Sequence, residues 1–65
     1  MNLSVNGSVR EVQSTNLRQL MEELGAPTRG VAVAVNGEIA PKSTWETFVL
    51  NESHIVEILT AAAGG

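Results

Sequence analysis

The chain has 65 residues and a net charge of −3, with seven acidic residues against four basic ones. At this length folding buries only about 60% of the unfolded surface, so the chain makes one domain with a thin core. The acidic balance excludes binding to a phosphate backbone, the absence of cysteine excludes disulfides, thiolate metal sites and thiol catalysis, and the lack of a long apolar run excludes a membrane span.

Met1, Leu3 and Val5 alternate with Asn2 and Ser4, the period of two of a half-buried strand. Asn6-Gly7 follows, and both residues tolerate the positive φ of a two-residue hairpin turn. A second, antiparallel strand is therefore predicted over Ser8-Val9-Arg10-Glu11-Val12. From Asn16 the period changes. Leu17, Leu20, Met21 and Leu24 fall on one stripe of a helix, while Arg18, Gln19, Glu22 and Glu23 take the wet face. Asn16 is placed to cap the first turn with Gln19 answering it in a capping box, and Gly25 is placed to close the last turn.

Ala26-Pro27-Thr28-Arg29-Gly30 reads as a loop, because Pro27 cannot continue the helix. Val31-Ala32-Val33-Ala34-Val35 is β-branched at every second position, so its valines face the helix and its alanines make a flat outer row. Asn36-Gly37 then predicts a second hairpin into Glu38-Ile39-Ala40, with Pro41 ending that strand at an edge. Between Pro41 and Leu50 a short helical turn and a crossover are expected, with Trp45 in a satellite core position. Asn51-Glu52-Ser53 turns the chain into a last strand through Ile55-Val56-Glu57-Ile58-Leu59. If Val56 and Ile58 face the helix, Ile55, Glu57 and Leu59 face outward. With Ala32 and Ala34 they form the expected docking face for a partner.

The chain has one histidine and no cysteine, aspartate or tyrosine, so a nucleophile with an oriented base is hard to assemble and no catalytic residue of its own is expected. His54 is read as a solvated turn residue, and the scattered glycines make no phosphate-cradling loop. The chain is therefore expected to bind no cofactor itself. What remains is the end, Ala61-Ala62-Ala63-Gly64-Gly65. Two glycines can run extended through a passage too tight for other residues and present the Gly65 carboxylate to a partner. A carboxylate is a poor electrophile, so activation has to come from another protein, such as an enzyme that adenylates it with ATP.

The order hairpin, helix, hairpin, crossover and last strand resembles the ubiquitin-like β-grasp. That is an α+β fold with a mixed sheet of about five strands on one main helix, here followed by a flexible Gly-Gly tail. The stretches Asn16 to Leu24, Val33 to Pro41, Trp45, Val56-Glu57-Ile58 and Ala63-Gly64-Gly65 resemble the ThiS family of sulfur carriers in thiamine biosynthesis. The resemblance implies a domain over 1–60 and a tail over 61–65, with Gly65 adenylated by a ThiF-type, E1-like enzyme and converted to a thiocarboxylate. It further implies Ala61, Ala62, Ala63 and Gly64 threading into partners, a cysteine desulfurase as indirect sulfur source, a ThiG-type thiazole synthase as acceptor, a monomer, and a cytoplasmic location. Molybdopterin-type carriers and ubiquitin-like modifiers share the fold and tail, and a noncovalent β-grasp binding module is a third reading. One departure stands out. The family usually has Gly-Asp where this chain has Ser53-His54, which leaves Asn51 as the expected carrier of any positive φ in that turn. Because the leucine stripe is the one helical face available to cover the sheet, Leu17→Asp or Leu20→Asp is expected to abolish cooperative unfolding in a denaturant titration.

Overall fold

A computed structural model describes residues 1–60 of the chain. The expected tail, Ala61 to Gly65, lies outside the described residues. The elements run in the order β1 (Asn2–Val5), β2 (Ser8–Glu11), α1 (Leu17–Leu24), β3 (Val31–Val35), β4 (Glu38–Ile39), a 3-10 turn (Lys42–Thr44) and β5 (Ile55–Thr60). The strands form one mixed sheet in the order β2-β1-β5-β3-β4. This is the β-grasp arrangement expected from the resemblance, and β5, last in sequence, is central in space.

Both hairpins turn as their Asn-Gly pairs predict. Asn6 and Gly7 have φ of 49° and 84°, and Asn36 and Gly37 have φ of 52° and 85°. Positive φ at both central positions gives the turn whose twist matches the flanking strands. Register follows from the turns: Val5 pairs with Ser8 and Leu3 with Arg10, while Val35 pairs with Glu38 and Ala34 with Ile39. β4 stops after two residues, ahead of Pro41. β5 runs parallel to β1 and antiparallel to β3.

The helix is capped at both ends. The Asn16 side chain accepts from the Gln19 N–H at 2.8 Å. Gln19, however, does not return to Asn16; its Oε1 accepts from the Thr15 N–H at 2.9 Å, one residue further out. Gly25, at φ 67°, donates to the Glu22 carbonyl and Ala26 donates to the Met21 carbonyl, the paired closure that a left-handed residue permits. Leu17, Leu20 and Met21 are buried against Leu3, Val5, Val33, Val35 and Val56 of the sheet. Trp45 joins this same core, and its indole N–H donates to the Ala40 carbonyl at 2.9 Å, which satisfies the one polar atom it buries.

Two details around the turn before β5 also depart from the expected pattern. In the turn before β5 the positive φ, 71°, belongs to Ser53 rather than Asn51. The His54 N–H donates to the Asn51 carbonyl, which makes Ser53 the third residue of the turn, where a type II geometry requires positive φ. The Ser53 N–H also donates to the Asn2 carbonyl at 2.9 Å, fixing the turn against β1. His54 is half-buried rather than solvated: its ring stands edge-on to Phe48 with centroids 6.2 Å apart, and its Nδ1 accepts from the Asn51 N–H.

The link from β2 to α1 is tied down by Glu23, whose carboxylate accepts from the Ser14 hydroxyl and from the N–H groups of Gln13 and Ser14. The Ser14 hydroxyl, then the Gln13 amide, hold the Glu23 carboxyl below its usual 4.5, although partial desolvation works the other way. A lowered folded pKa contributes stability above the unfolded value, and this is lost as pH falls through the folded one. Glu23→Gln should therefore melt below wild type at neutral pH, with the gap closing as pH falls below 4.5. At Ser53, a left-handed L-residue costs about 1–2 kcal/mol and glycine returns part of this as backbone entropy. Ser53→Gly is expected to raise the unfolding free energy by about 0.5–1 kcal/mol in urea titration.

Candidate functional site

The residues that bring the tail to its starting point are those that hold β5. Thr60, the last residue of β5, pairs with Val31, so the end of β5 stands beside the start of β3. On one side of β5, β1 supplies only two paired positions, Ser4 with Ile55 and Val5 with Val56. Asn6 continues the ladder with its side chain. Its Oδ1 accepts from the Ile58 N–H at 2.8 Å and its Nδ2 donates to the Ile58 carbonyl at 3.3 Å, so the amide replaces the next backbone rung. On the other side the Asn36 N–H donates to the Ile55 carbonyl at 2.7 Å and Asn36 Oδ1 accepts from the Ile55 N–H at 2.9 Å. The asparagines chosen for their turns thus also clamp the strand that carries the tail.

Alternation along β5 sends Val56 into the core and leaves Ile55 and Leu59 53% and 58% exposed on the outer face, with Glu57 exposed between them. Ala32 is exposed on the same face. Ala34 departs from the expected docking set, being only 7% exposed. It lies between Glu57 and Ile39 in register, and a single methyl group in the middle of a sheet is covered by its longer neighbours. Two residues belong to this face that were not expected there. Ile39, opposite Ala34, is 64% exposed, and Val9, opposite Ser4, is 76% exposed. The signal for both was present, since a two-residue Asn-Gly turn dictates each register and hence each face.

On the helix side a cavity of about 310 Å³ lies between α1 and the 3-10 turn, lined by Arg18, Met21, Thr28, Lys42, Trp45 and Glu46 among others. Arg18 there is engaged by Glu46 at 2.6 Å and Glu22 at 3.6 Å, and Lys42 donates to the Thr28 carbonyl. Among the described residues no three His, Cys, Asp or Glu side chains converge as a metal site, and no helix is long and apolar enough to cross a membrane. The proposed reacting residue, Gly65, and its leads Ala61, Ala62, Ala63 and Gly64 lie outside the described residues.

The ThiS family matches residues 3–65, nearly the whole chain. The chain belongs to the ThiS family. Among solved structures, this ThiS-family chain is similar to the crystal structure of a thiamine biosynthesis protein (ThiS) from Geobacter metallireducens, with a TM-score of 0.85, 30% identity and full coverage of both chains. It is also similar to a solution structure of a thiamine biosynthesis protein from that organism, with a TM-score of 0.80, 29% identity, and coverage of 100% of this chain and 88% of the other. A thiazole synthase of Paramagnetospirillum magneticum is 38% identical over 66 residues, a match that takes in the whole of this chain but 20% of that protein. The ThiS-family chain therefore spans about one fifth of the length of this curated relative.

The two clamps in this ThiS-family chain should respond differently to the same substitution. Asn6→Asp removes the donor to Ile58 and sets a carboxylate against its carbonyl, which should cost about 1–2 kcal/mol. Asn36→Asp keeps the acceptor for the Ile55 N–H and should stay within about 0.5 kcal/mol of wild type. Urea unfolding of the two variants side by side measures the difference.

Proposed function

We propose that this chain carries sulfur for thiamine biosynthesis, as a protein co-substrate with no catalytic residue of its own. The observation that carries this reading is the ThiS-family match, which extends through residue 65 and so takes in Gly64-Gly65. The similar thiamine biosynthesis proteins support it, and the thiazole synthase that matches over this chain's whole length supports thiazole formation as the destination.

In this reading a ThiF-type, E1-like adenylyltransferase binds ATP, and the Gly65 carboxylate attacks the α-phosphorus with loss of pyrophosphate. A sulfur nucleophile, derived from cysteine through a desulfurase, then displaces AMP and leaves a thiocarboxylate on Gly65. A ThiG-type thiazole synthase takes the sulfur. The tail residues Ala61, Ala62, Ala63 and Gly64 thread into the partner, where small side chains let the backbone approach the reacting atoms. The outer face of β5, with Ile55, Glu57 and Leu59 and the neighbouring Ala32, docks on the same partner. The work of the fold is to hold that face and the root of the tail in a constant relation. Transfer takes place in the cytoplasm.

Incubation with the adenylyltransferase, ATP and a sulfur donor, followed by intact mass measurement, is expected to show the gain of one oxygen replaced by sulfur. Gly64→Val should lose that gain while melting at the wild-type temperature, because its added side chain blocks the threaded passage and leaves the core untouched. A mass unchanged in wild type, or an adduct joined to lysines of other proteins by an amide bond, overturns the sulfur-carrier reading.

A further inference from the structure

Along its outer face β5 carries Ile55, Glu57 and Leu59, an acid between two half-exposed apolar side chains. In register Glu57 stands opposite Ala34, beyond which lies Ile39, so its cross-strand neighbours on the β3 side are apolar. Cations stand elsewhere. Arg10 is opposite Leu3, in a row of the other face; Arg18 is on α1, paired with Glu22 and Glu46; Lys42 donates to the Thr28 carbonyl; and Arg29 is in the loop ahead of β3. Among the described residues both ion pairs belong to Arg18, and Glu57 has none.

A carboxylate left to water in the free protein becomes a constraint when the surrounding apolar face is covered. Docking strips its water, and an ion moved unpaired into a low-dielectric contact is strongly disfavoured. The apolar neighbours attract a partner, but Glu57 decides which partner. We propose that Glu57 is a specificity residue of this face, accepting a protein surface that sets an arginine or lysine among apolar side chains and rejecting apolar surfaces without a cation. Arginine suits the position better, since its planar fork meets a carboxylate with two parallel hydrogen bonds. The surface thus discriminates by what it refuses as well as by what it attracts. This inference rests on the outer face being where the adenylyltransferase docks.

The test is calorimetric titration of the purified ThiF-type adenylyltransferase of the same organism with wild type, Glu57→Gln, Glu57→Arg and Leu59→Asp, at low and high salt. Both substituted positions being exposed, melting temperatures should match wild type and exclude misfolding as a cause. Glu57→Gln is expected to weaken binding about tenfold or more and to flatten its salt dependence, and Glu57→Arg to weaken it further. Leu59→Asp should weaken binding whichever way Glu57 behaves. If Leu59→Asp weakens binding and both Glu57 variants bind as wild type with the same salt dependence, the docking face stands and the role of Glu57 is overturned. If all three variants bind as wild type, or wild type itself does not bind, the docking reading fails and this inference with it.

Discussion

Insertion of β5 between the two hairpins is the step on which the remaining structure depends. β1 and β2 form one hairpin and β3 and β4 another, and in the sheet order β2-β1-β5-β3-β4 the two meet only through β5. Val56, at the middle of that junction, is fully buried beneath the helix. Removing β5 would leave two separate two-stranded ribbons, each marginal by itself in water. The last strand thus closes the sheet, and it does so by pairing with β1, some fifty positions upstream, as well as with β3.

The same placement sets the working geometry. The far end of β5 is fixed from both sides, by Thr60 against Val31 and by the Asn6 amide on Ile58. The outer face of that strand then lies close to this end by construction. Under the proposed function, docking through Ile55 and Leu59 would present the residues after Thr60 to the partner in a defined direction. Rigidity would then come from β5 and reactivity from the enzyme that receives the chain.

Polar side chains in this molecule are used repeatedly for the backbone. Asn6 and Asn36 supply turn conformations and then substitute for missing ladder partners on either side of β5. Asn16 caps the helix, Glu23 gathers the amides of the β2–α1 link, and Glu52 accepts from the Asn2 N–H. In a domain with so small an interior, backbone groups at turns and strand ends are satisfied by nearby side chains rather than by further layers of structure. Ser53 is the place where this local logic is under strain, with a residue other than glycine held left-handed by bonds to Asn2 and between its neighbours Asn51 and His54.

The sequence by itself determined the elements, their turns and their inward faces. Period two in Val31 to Val35, period 3.6 in Leu17 to Leu24 and the two Asn-Gly pairs are local properties of backbone conformation, and each was realised where it was read. The registers that put Ile39 and Val9 on the outer face were equally available from those turns. Tertiary structure alone decided what depends on distant neighbours. Ala34 is shielded because Glu57 and Ile39 flank it, Asn6 reaches Ile58 because β5 enters beside β1, and Ser53 rather than Asn51 turns left-handed because Asn2 and His54 fix the hydrogen bonds around it. Each of these is set by a pairing between segments far apart in the chain, and short-range periodicity carries no record of such pairings.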